Sequence, residues 1–294
     1  MNIVGHTEIR EKLKRLITEN KVGHAYLFAG KSGIGKKLVA IEFAKNLMCL
    51  ANENGSACGK CEACNTFENN ADFALIEPEK NLINVDAIRN LETEIYLKPT
   101  KANRKCFIIN DSDLMNESAQ NALLKVLEEP PMYATIILIA SNKEKLLGTI
   151  KSRVVAINFN GLKDEELHSI LGEDFNSDII GYAKGSVERA MTLANENYIG
   201  VANELFKSFL TKDFLKINKK IDEIKNNKEL KQNISGILES TMLVCYKNLK
   251  DNLNEYINII DIINETNKNI GKNANLDLAL DNMIIQICFN EKKR

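Results

Sequence analysis

Near its start the chain carries a glycine-rich segment whose residue types suit the binding of a phosphate group. The segment runs from Gly30 to Lys37 and reads Gly-Lys-Ser-Gly-Ile-Gly-Lys-Lys, with Gly33 and Gly35 inside it. An apolar run precedes it, and apolar residues with helical spacing follow it. In a strand, turn and helix of this kind, backbone N–H groups and the helix N-terminus surround a phosphate, and Lys36 would contact the outer phosphates. The segment therefore predicts a phosphate-binding loop.

The last position of this loop departs from the pattern of a nucleotide-binding loop. In that pattern, Gly-x-x-x-x-Gly-Lys is followed by a Ser or Thr whose hydroxyl binds Mg²⁺. Lys37 occupies that position here. The loop therefore predicts a degenerate nucleotide site, and whether it still binds ATP and Mg²⁺ stays open at this stage.

A second group consists of four cysteines within sixteen residues: Cys49, Cys58, Cys61 and Cys64. A Cys-x-x-Cys pair bends so that both sulfur atoms face one ion, and two more thiolates complete the tetrahedron that Zn²⁺ prefers. Since the chain supplies all four ligands, no position is left for a substrate, and we expect the zinc ion to be structural. Free thiols, a redox pair and an iron–sulfur cluster are the alternatives.

Composition limits the classes of protein that this chain can belong to. Its 294 residues are expected to form two or three domains. The formal net charge is −1, so a nucleic-acid contact would need a local basic patch. No apolar run approaches the roughly 20 residues that cross a bilayer, and the first eight residues are too polar for a leader. We therefore expect a cytoplasmic protein without a membrane contact, whose cysteines are thiols or metal ligands.

Short apolar runs alternate with helical patterns through the first half of the chain. This alternation predicts an α/β fold with a parallel sheet that is covered on both faces by helices. The predicted strands are Ala25–Ala29, Phe73–Glu77, Cys106–Asn110, Thr135–Ala140 and Val154–Asn158.

The second half of the chain has a different texture. All four prolines lie at or before Pro131, and the later residues show apolar stripes with a 3.6-residue period. This pattern predicts an all-α region that contains a bundle of about five helices. We divide the chain into a phosphate-loop domain at 1–160 with the cysteine module at 49–64, a small helical lid at 161–200 and a helical domain at 201–294.

Two further motifs complete a resemblance to a known family. Residues 121–131 read Asn-Ala-Leu-Leu-Lys-Val-Leu-Glu-Glu-Pro-Pro, and residues 152–154 read Ser-Arg-Val. Together with the loop and the cysteine module, they resemble the clamp-loader AAA+ subunits of bacterial DNA polymerase III. The resemblance covers about residues 1–200 by motif and the remaining helices only by architecture. It implies an AAA+ domain, a lid, and a collar domain that joins the subunits in a ring.

The family contains ATP-hydrolysing gamma/tau subunits and delta-prime subunits, which commonly lack a complete nucleotide site. Besides Lys37, this chain has Asn110 and Asp111 where the family motif places the metal-binding Asp and the water-activating Glu. It also has Glu188 where motor subunits place a sensor arginine, and Arg189 follows it. A neutral amide holds Mg²⁺ weakly, and a shorter carboxylate is drawn back from the attacking water. These departures favour the delta-prime type, whose own ATPase activity is lost.

The resemblance also gives a role to Arg153. In this family the matching arginine reaches the ATP of a neighbouring subunit as a trans arginine finger, and Val154 replaces the usual Cys that follows it. An ordinary surface ion pair is the alternative for Arg153. The resemblance further implies gamma/tau and delta subunits as partners, with the sliding clamp and primed DNA contacted through the complex.

Several alternatives remain open from the sequence. A gamma/tau-type subunit that hydrolyses ATP itself is the rival function, and a DNA-binding adaptor outside replication is a weaker third. Ser141 and Asn142 match the sensor 1 region of the family or form a turn. Lys101, Arg104 and Lys105 form a basic patch that contacts a DNA backbone or is only a solvated loop.

Overall fold

Five parallel strands form the sheet at the centre of the first half of the protein, as a computed structural model shows. The strand order is β2-β3-β4-β1-β5. The predicted strands are all present, with ends that shift by at most one residue. The strands are β1 Ala25–Ala29, β2 Phe73–Ile76, β3 Lys105–Ile109, β4 Ala134–Ala140 and β5 Val155–Asn158.

The structure describes residues 3–173, 175–249, 253–271 and 274–289. These residues form two compact units. Residues 3–173 and 184–187 form the sheet unit, and residues 175–183 with the described residues from 188 to 289 form the helical unit. The parts of the predicted domains at 1–2, 174, 250–252, 272–273 and 290–294 lie outside the described residues, and the division into three domains stays a prediction.

Helices cover both faces of the sheet, as the fold class predicts. Successive residues of β1 point to opposite faces, so Leu27 lies in the core beneath α4 and α5 while Tyr26 and Phe28 lie in the core beneath α1 and α2. Apart from Lys105 and Thr135, the residues of the central strands are apolar because both faces of these strands are buried. The helices of the sheet unit are α1 Thr7–Thr18, α2 Lys36–Met48, α3 Glu62–Asn65, α4 Val85–Ile95, α5 Glu117–Glu128, α6 Gly148–Lys151 and α7 Asp164–Leu171.

The second half of the protein is all-α over the residues described, as expected. Its helices are α8 Ser177–Ala183, α9 Val187–Ala194, α10 Glu196–Thr211, α11 Phe214–Asn226, α12 Lys228–Gln232, α13 Ile234–Lys247, α14 Leu253–Gly271 and α15 Leu276–Phe289. Six of these begin at or after residue 196, where the sequence predicted about five from residue 201. The additional one is the short α12, which begins because the Asn227 side chain accepts hydrogen bonds from two backbone N–H groups.

Apolar stripes of the long helices form one core in the helical unit, which includes Leu205, Phe209, Ile237, Ile263 and Ile284. Asn195 and Asp213 cap α10 and α11 with their side-chain oxygens. None of the described helices combines the length and the apolar character that a membrane crossing requires.

Candidate nucleotide loop, cysteine cluster and rim arginine

The glycine-rich loop joins β1 to α2, and its backbone geometry requires glycine. Gly33 and Gly35 have φ values of 71° and 96°, which lie in the left-handed region. A Cβ atom on Gly30 would lie 2.5 Å from the carbonyl oxygen of Phe159, which directly follows β5. The backbone N–H of Val187 donates to the Gly33 oxygen over 2.9 Å. The loop is therefore tightly wound and held from outside by a neighbouring segment.

The side chain of Lys36 forms hydrogen bonds with the backbone of its own loop. Its Nζ donates to the carbonyl oxygens of Gly30 at 2.7 Å and Lys31 at 2.5 Å. The residue is 5% exposed. A phosphate oxygen at this loop would have to compete with two carbonyl groups for the ammonium.

Lys37 forms an ion pair with a residue far away in the sequence. Its Nζ lies 2.6 Å from Oε1 of Glu77, which follows β2. A lysine ammonium has three donors and no lone pair, so it cannot ligate a metal ion. Lys37 thus brings a fixed positive charge to the position where the nucleotide-loop pattern has a hydroxyl.

Asn110 and Asp111 follow β3 at the same edge of the sheet as the loop, because parallel strands present their carboxyl ends together. Asn110 Nδ2 donates to the Asp111 carboxylate over 3.0 Å. Asp111 has a φ of 46°, and a 3₁₀ turn at Ser112–Leu114 follows it. Only one carboxylate is supplied by these two positions, and it faces the neighbouring amide.

Ser141 and Asn142 form a turn after β4. The carboxylate of Asp113 accepts hydrogen bonds from the backbone N–H groups of Ser141 at 3.0 Å and Asn142 at 3.2 Å. The Asn142 side chain accepts from the backbone N–H of Glu144. These contacts agree with the turn alternative, in which the Asp113 carboxylate holds the backbone of Ser141 and Asn142.

Glu188 and Arg189 lie in the first turn of α9 and belong to the helical unit. Arg189 Nε lies 2.8 Å from Oε2 of Glu239 in α13. The arginine next to the sensor position is thus bound to another helix of its own unit.

Arg153 lies at the opposite edge of the sheet from the glycine-rich loop. It precedes β5, and Val155 is paired with Tyr26 near the start of β1, whereas the loop begins after the end of β1. The guanidinium lies 2.8 Å from Glu128 Oε1 and donates to the Thr149 carbonyl oxygen over 3.0 Å. Its side chain is 35% exposed. A length of β-strand therefore separates this arginine from the phosphate loop of its own chain.

The four predicted cysteines converge in the sheet unit. The sulfur atoms of Cys49, Cys58, Cys61 and Cys64 all lie within 4.8 Å of one another, and those of Cys49 and Cys61 are 3.8 Å apart. In a tetrahedral site with Zn–S bonds of about 2.3 Å, sulfur atoms are about 3.8 Å apart. The cluster thus fits the donor set and the size of a zinc site.

The surroundings of these thiols differ. Burial opposes the ionisation of Cys61, but backbone N–H groups of Leu50 and Cys64 and the neighbouring thiols outweigh it and lower the Cys61 pKa to about 6. Burial raises the pKa of Cys64 to about 12 and also raises the pKa of Cys49. A bound divalent ion would hold all four as thiolates.

The cysteine module is tied to the rest of the sheet unit. Cys49 directly follows α2, and Asn46 of that helix accepts a hydrogen bond from the backbone N–H of Ala57 over 2.9 Å. A Cβ atom on Gly55 would lie 2.5 Å from the Lys14 carbonyl oxygen in α1. The module therefore packs directly against α1 and α2.

Comparison with known proteins places the chain in a family. Residues 5–163, more than half of the chain, match the family described as DNA polymerase III, delta subunit. The chain belongs to that family.

The curated relatives that this chain matches include proteins described as the gamma and tau subunits of DNA polymerase III. Subunit gamma of Buchnera aphidicola subsp. Schizaphis graminum is 30% identical over 245 residues, which cover 74% of this chain and 68% of the relative. Subunit tau of Bacillus subtilis is 30% identical over 188 residues, which cover 64% of this chain and 33% of the relative. The chain spans about a third of the length of such tau relatives.

A solved structure supports the fold. A DNA polymerase III gamma subunit-related protein of Thermotoga maritima aligns with a TM-score of 0.55 and 22% identity, covering 95% of this chain and 98% of that one. At this identity the likeness establishes the shared architecture of a parallel sheet followed by a helical region.

The three cations of the basic patch do not form one surface in this family member. Lys101 pairs with Glu62 at 3.1 Å, and Arg104 donates to the Met132 carbonyl oxygen. Lys105 is 4% exposed and donates to the Glu94 carbonyl oxygen. The burial of Lys105 contradicts both alternatives for that residue, whereas the exposed Lys101, paired with Glu62, agrees with a solvated loop.

Asp72 is a buried anchor that no motif in the sequence signalled. The residue is 1% exposed, and its carboxylate accepts hydrogen bonds from the backbone N–H groups of Thr100, Lys101 and Ala102 at 2.7–3.0 Å. It thereby holds the loop that carries the basic residues.

The remaining cysteines are not part of the cluster. Cys106 and Cys245 are buried, and burial raises the pKa of each to about 12, as expected for inert core residues. Cys288 is only half-buried, because it lies in the last turn of α15 beside the exposed Phe289. The apolar run around Cys288 predicts a buried residue, which the structure confirms only in part.

Proposed function

We propose that this protein is a clamp-loader subunit of the delta-prime type, which helps to place the sliding clamp on primed DNA during replication. It would act in a hetero-oligomeric ring with gamma/tau and delta subunits, joined through its helical domain. Membership of a DNA polymerase III family and the gamma and tau relatives support this proposal.

The observation that carries the proposal is the separation of Arg153 from the loop of its own chain. Arg153 lies near the amino-terminal ends of β1 and β5, and the loop follows the carboxyl end of β1. The five residues of β1 span the distance between these two ends, which is about 16 Å at about 3.3 Å per residue. Arg153 therefore cannot contact a phosphate bound at Gly30–Lys37, but in a ring it can face the ATP of a neighbour. An arginine finger in that position raises the rate of phosphoryl transfer by about 10³–10⁵.

The chemistry of the glycine-rich loop supports the loss of the chain's own ATPase activity. Lys37 cannot bind Mg²⁺, Asn110 is neutral, and Asp111 is shorter than the glutamate expected there. A subunit that supplies a finger to its neighbour needs no hydrolysis at its own loop. The cysteine cluster, with a structural zinc ion, would stabilise the module beside α1 and α2.

A gamma/tau-type motor subunit is the second candidate, and the 30% identity to gamma and tau relatives favours it. A motor subunit would bind Mg²⁺ and ATP and hydrolyse ATP when isolated. The delta-prime type would show no ATP hydrolysis when isolated, whether or not a nucleotide still binds to its loop.

The test is Arg153→Ala in a complex reconstituted with the other clamp-loader subunits. The substitution should leave folding and assembly intact and slow both ATP hydrolysis and clamp loading. Arg89→Ala is the matched control, since Arg89 is an exposed arginine of α4 whose nearest acid, Asp86, is 3.6 Å away. Unchanged hydrolysis and loading rates in the Arg153→Ala complex would refute the proposal.

A further inference from the structure

The guanidinium of Arg153 is held at two points within its own chain. Nη2 donates to Oε1 of Glu128 over 2.8 Å, and Nη1 donates to the Thr149 carbonyl oxygen over 3.0 Å. These acceptors lie in different helices, α5 and α6. Because the guanidinium is planar and rigid, two contacts at different nitrogen atoms define its direction.

The backbone of Glu128 is held in place by the packing of α5. Glu128 is the last residue of α5, and the preceding residues Val126 and Leu127 are buried in the core of the sheet unit. The backbone at Glu128 is therefore fixed, while its side chain remains 53% exposed. An exposed ion pair is weak, so the orienting effect of Glu128 on the guanidinium is expected to be small.

Thr149 provides the second contact to the guanidinium, from α6. Its carbonyl oxygen belongs to the four-residue α6, and the next residue, Ile150, is buried. Arg153 Nη1 also lies 3.4 Å from the Ser152 hydroxyl. The arginine thus projects from a short, packed segment while 35% of its side chain stays open to solvent.

We infer that Glu128 is a positioning residue for Arg153. Together with the Thr149 carbonyl group, it orients the Arg153 guanidinium toward the triphosphate of a neighbouring subunit. This inference rests on the proposed function. An arginine that is already oriented loses less side-chain freedom when it contacts the charge developing in the transition state. The effect of Glu128 should therefore appear in kcat rather than in the KM for ATP.

The experiment compares Glu128→Ala, Glu128→Gln and Glu129→Ala in the reconstituted complex. Glu128→Ala removes the acceptor and should lower the kcat for ATP hydrolysis about two- to fivefold, the range of a weak exposed pair. Glu128→Gln keeps an oxygen acceptor and should retain most of the rate. The neighbouring Glu129, which is exposed, is the matched control, and its alanine variant should behave like the wild type.

A double-mutant cycle separates positioning from a purely structural role. In the Arg153→Ala background, Glu128→Ala should have no further effect. An equal slowing in that background, a wild-type rate in the single Glu128→Ala variant, or a faster rate would each overturn the inference. If Arg153→Ala itself changes nothing, the proposed function fails first, and that outcome is distinct from the failure of Glu128.

Discussion

An ion pair joins Lys37, in the first turn of α2, to Glu77, directly after β2: Nζ and Oε1 are 2.6 Å apart. The two residues are forty positions apart in the sequence. The pair places a lysine ammonium and its counter-charge at the side of the loop where the nucleotide-loop pattern has a metal-binding hydroxyl. Lys37, which cannot act as a metal ligand, thus forms an ordinary ion pair with Glu77 at this position.

The first prediction concerns nucleotide turnover by the isolated protein. Because Lys37, Asn110 and Asp111 supply a poor site for Mg²⁺, the purified chain should show no ATP hydrolysis above the background of the Lys36→Ala variant. Steady-state phosphate release with Mg²⁺ and ATP measures this. Lys12→Ala, which removes an exposed lysine of α1, is the control for the loss of a charge. Turnover that is present in the wild type and the control but lost in Lys36→Ala would favour the gamma/tau alternative.

The second prediction concerns the metal. Protein purified without a chelator should contain one zinc ion per chain, because four thiols converge at the spacing of a tetrahedral site. Cys61→Ser removes one ligand and should abolish zinc binding in elemental analysis. Residues 50–70 should become sensitive to proteolysis, while far-UV circular dichroism shows that the sheet and helices persist.

Cys288→Ser is the control for this experiment, since Cys288 lies in α15 and outside the cluster. It should retain the full zinc content. The prediction fails if the wild-type protein carries no zinc or if Cys61→Ser and Cys288→Ser retain the same amount.

The third prediction concerns the buried carboxylate of Asp72. Asp72→Asn replaces an acceptor of three backbone N–H groups by an amide that can satisfy only part of them. Leaving partly buried donors unpaired should lower the free energy of unfolding by about 1–2 kcal/mol. Urea denaturation followed by circular dichroism measures this change.

Asp86→Asn provides the comparison, because Asp86 is an acid with a 76% exposed side chain in the first turn of α4. It should change the free energy of unfolding by less than about 0.5 kcal/mol. Equal effects of the two substitutions would show that the buried hydrogen bonds of Asp72 contribute little.

The positions of the strands, the glycine-rich loop and the cysteine cluster could be read from the chain because their signals are local. Ala25–Ala29 is an uninterrupted apolar run followed by glycines, and both features depend on neighbouring residues only. The cysteines lie within one short segment, so a turn suffices to bring Cys58, Cys61 and Cys64 together. Such patterns determined the fold class and the candidate metal ligands.

Tertiary structure decided which distant groups meet and which stay apart. The parallel pairing of β5 with β1 sets Arg153 at the edge opposite the loop, and the strand order brings Glu77 to Lys37. The burial of Asp72 beneath the backbone of residues 100–102 also had no local signal. These contacts depend on strand order and register, which an apolar pattern alone leaves undetermined because each strand could in principle pair with several others.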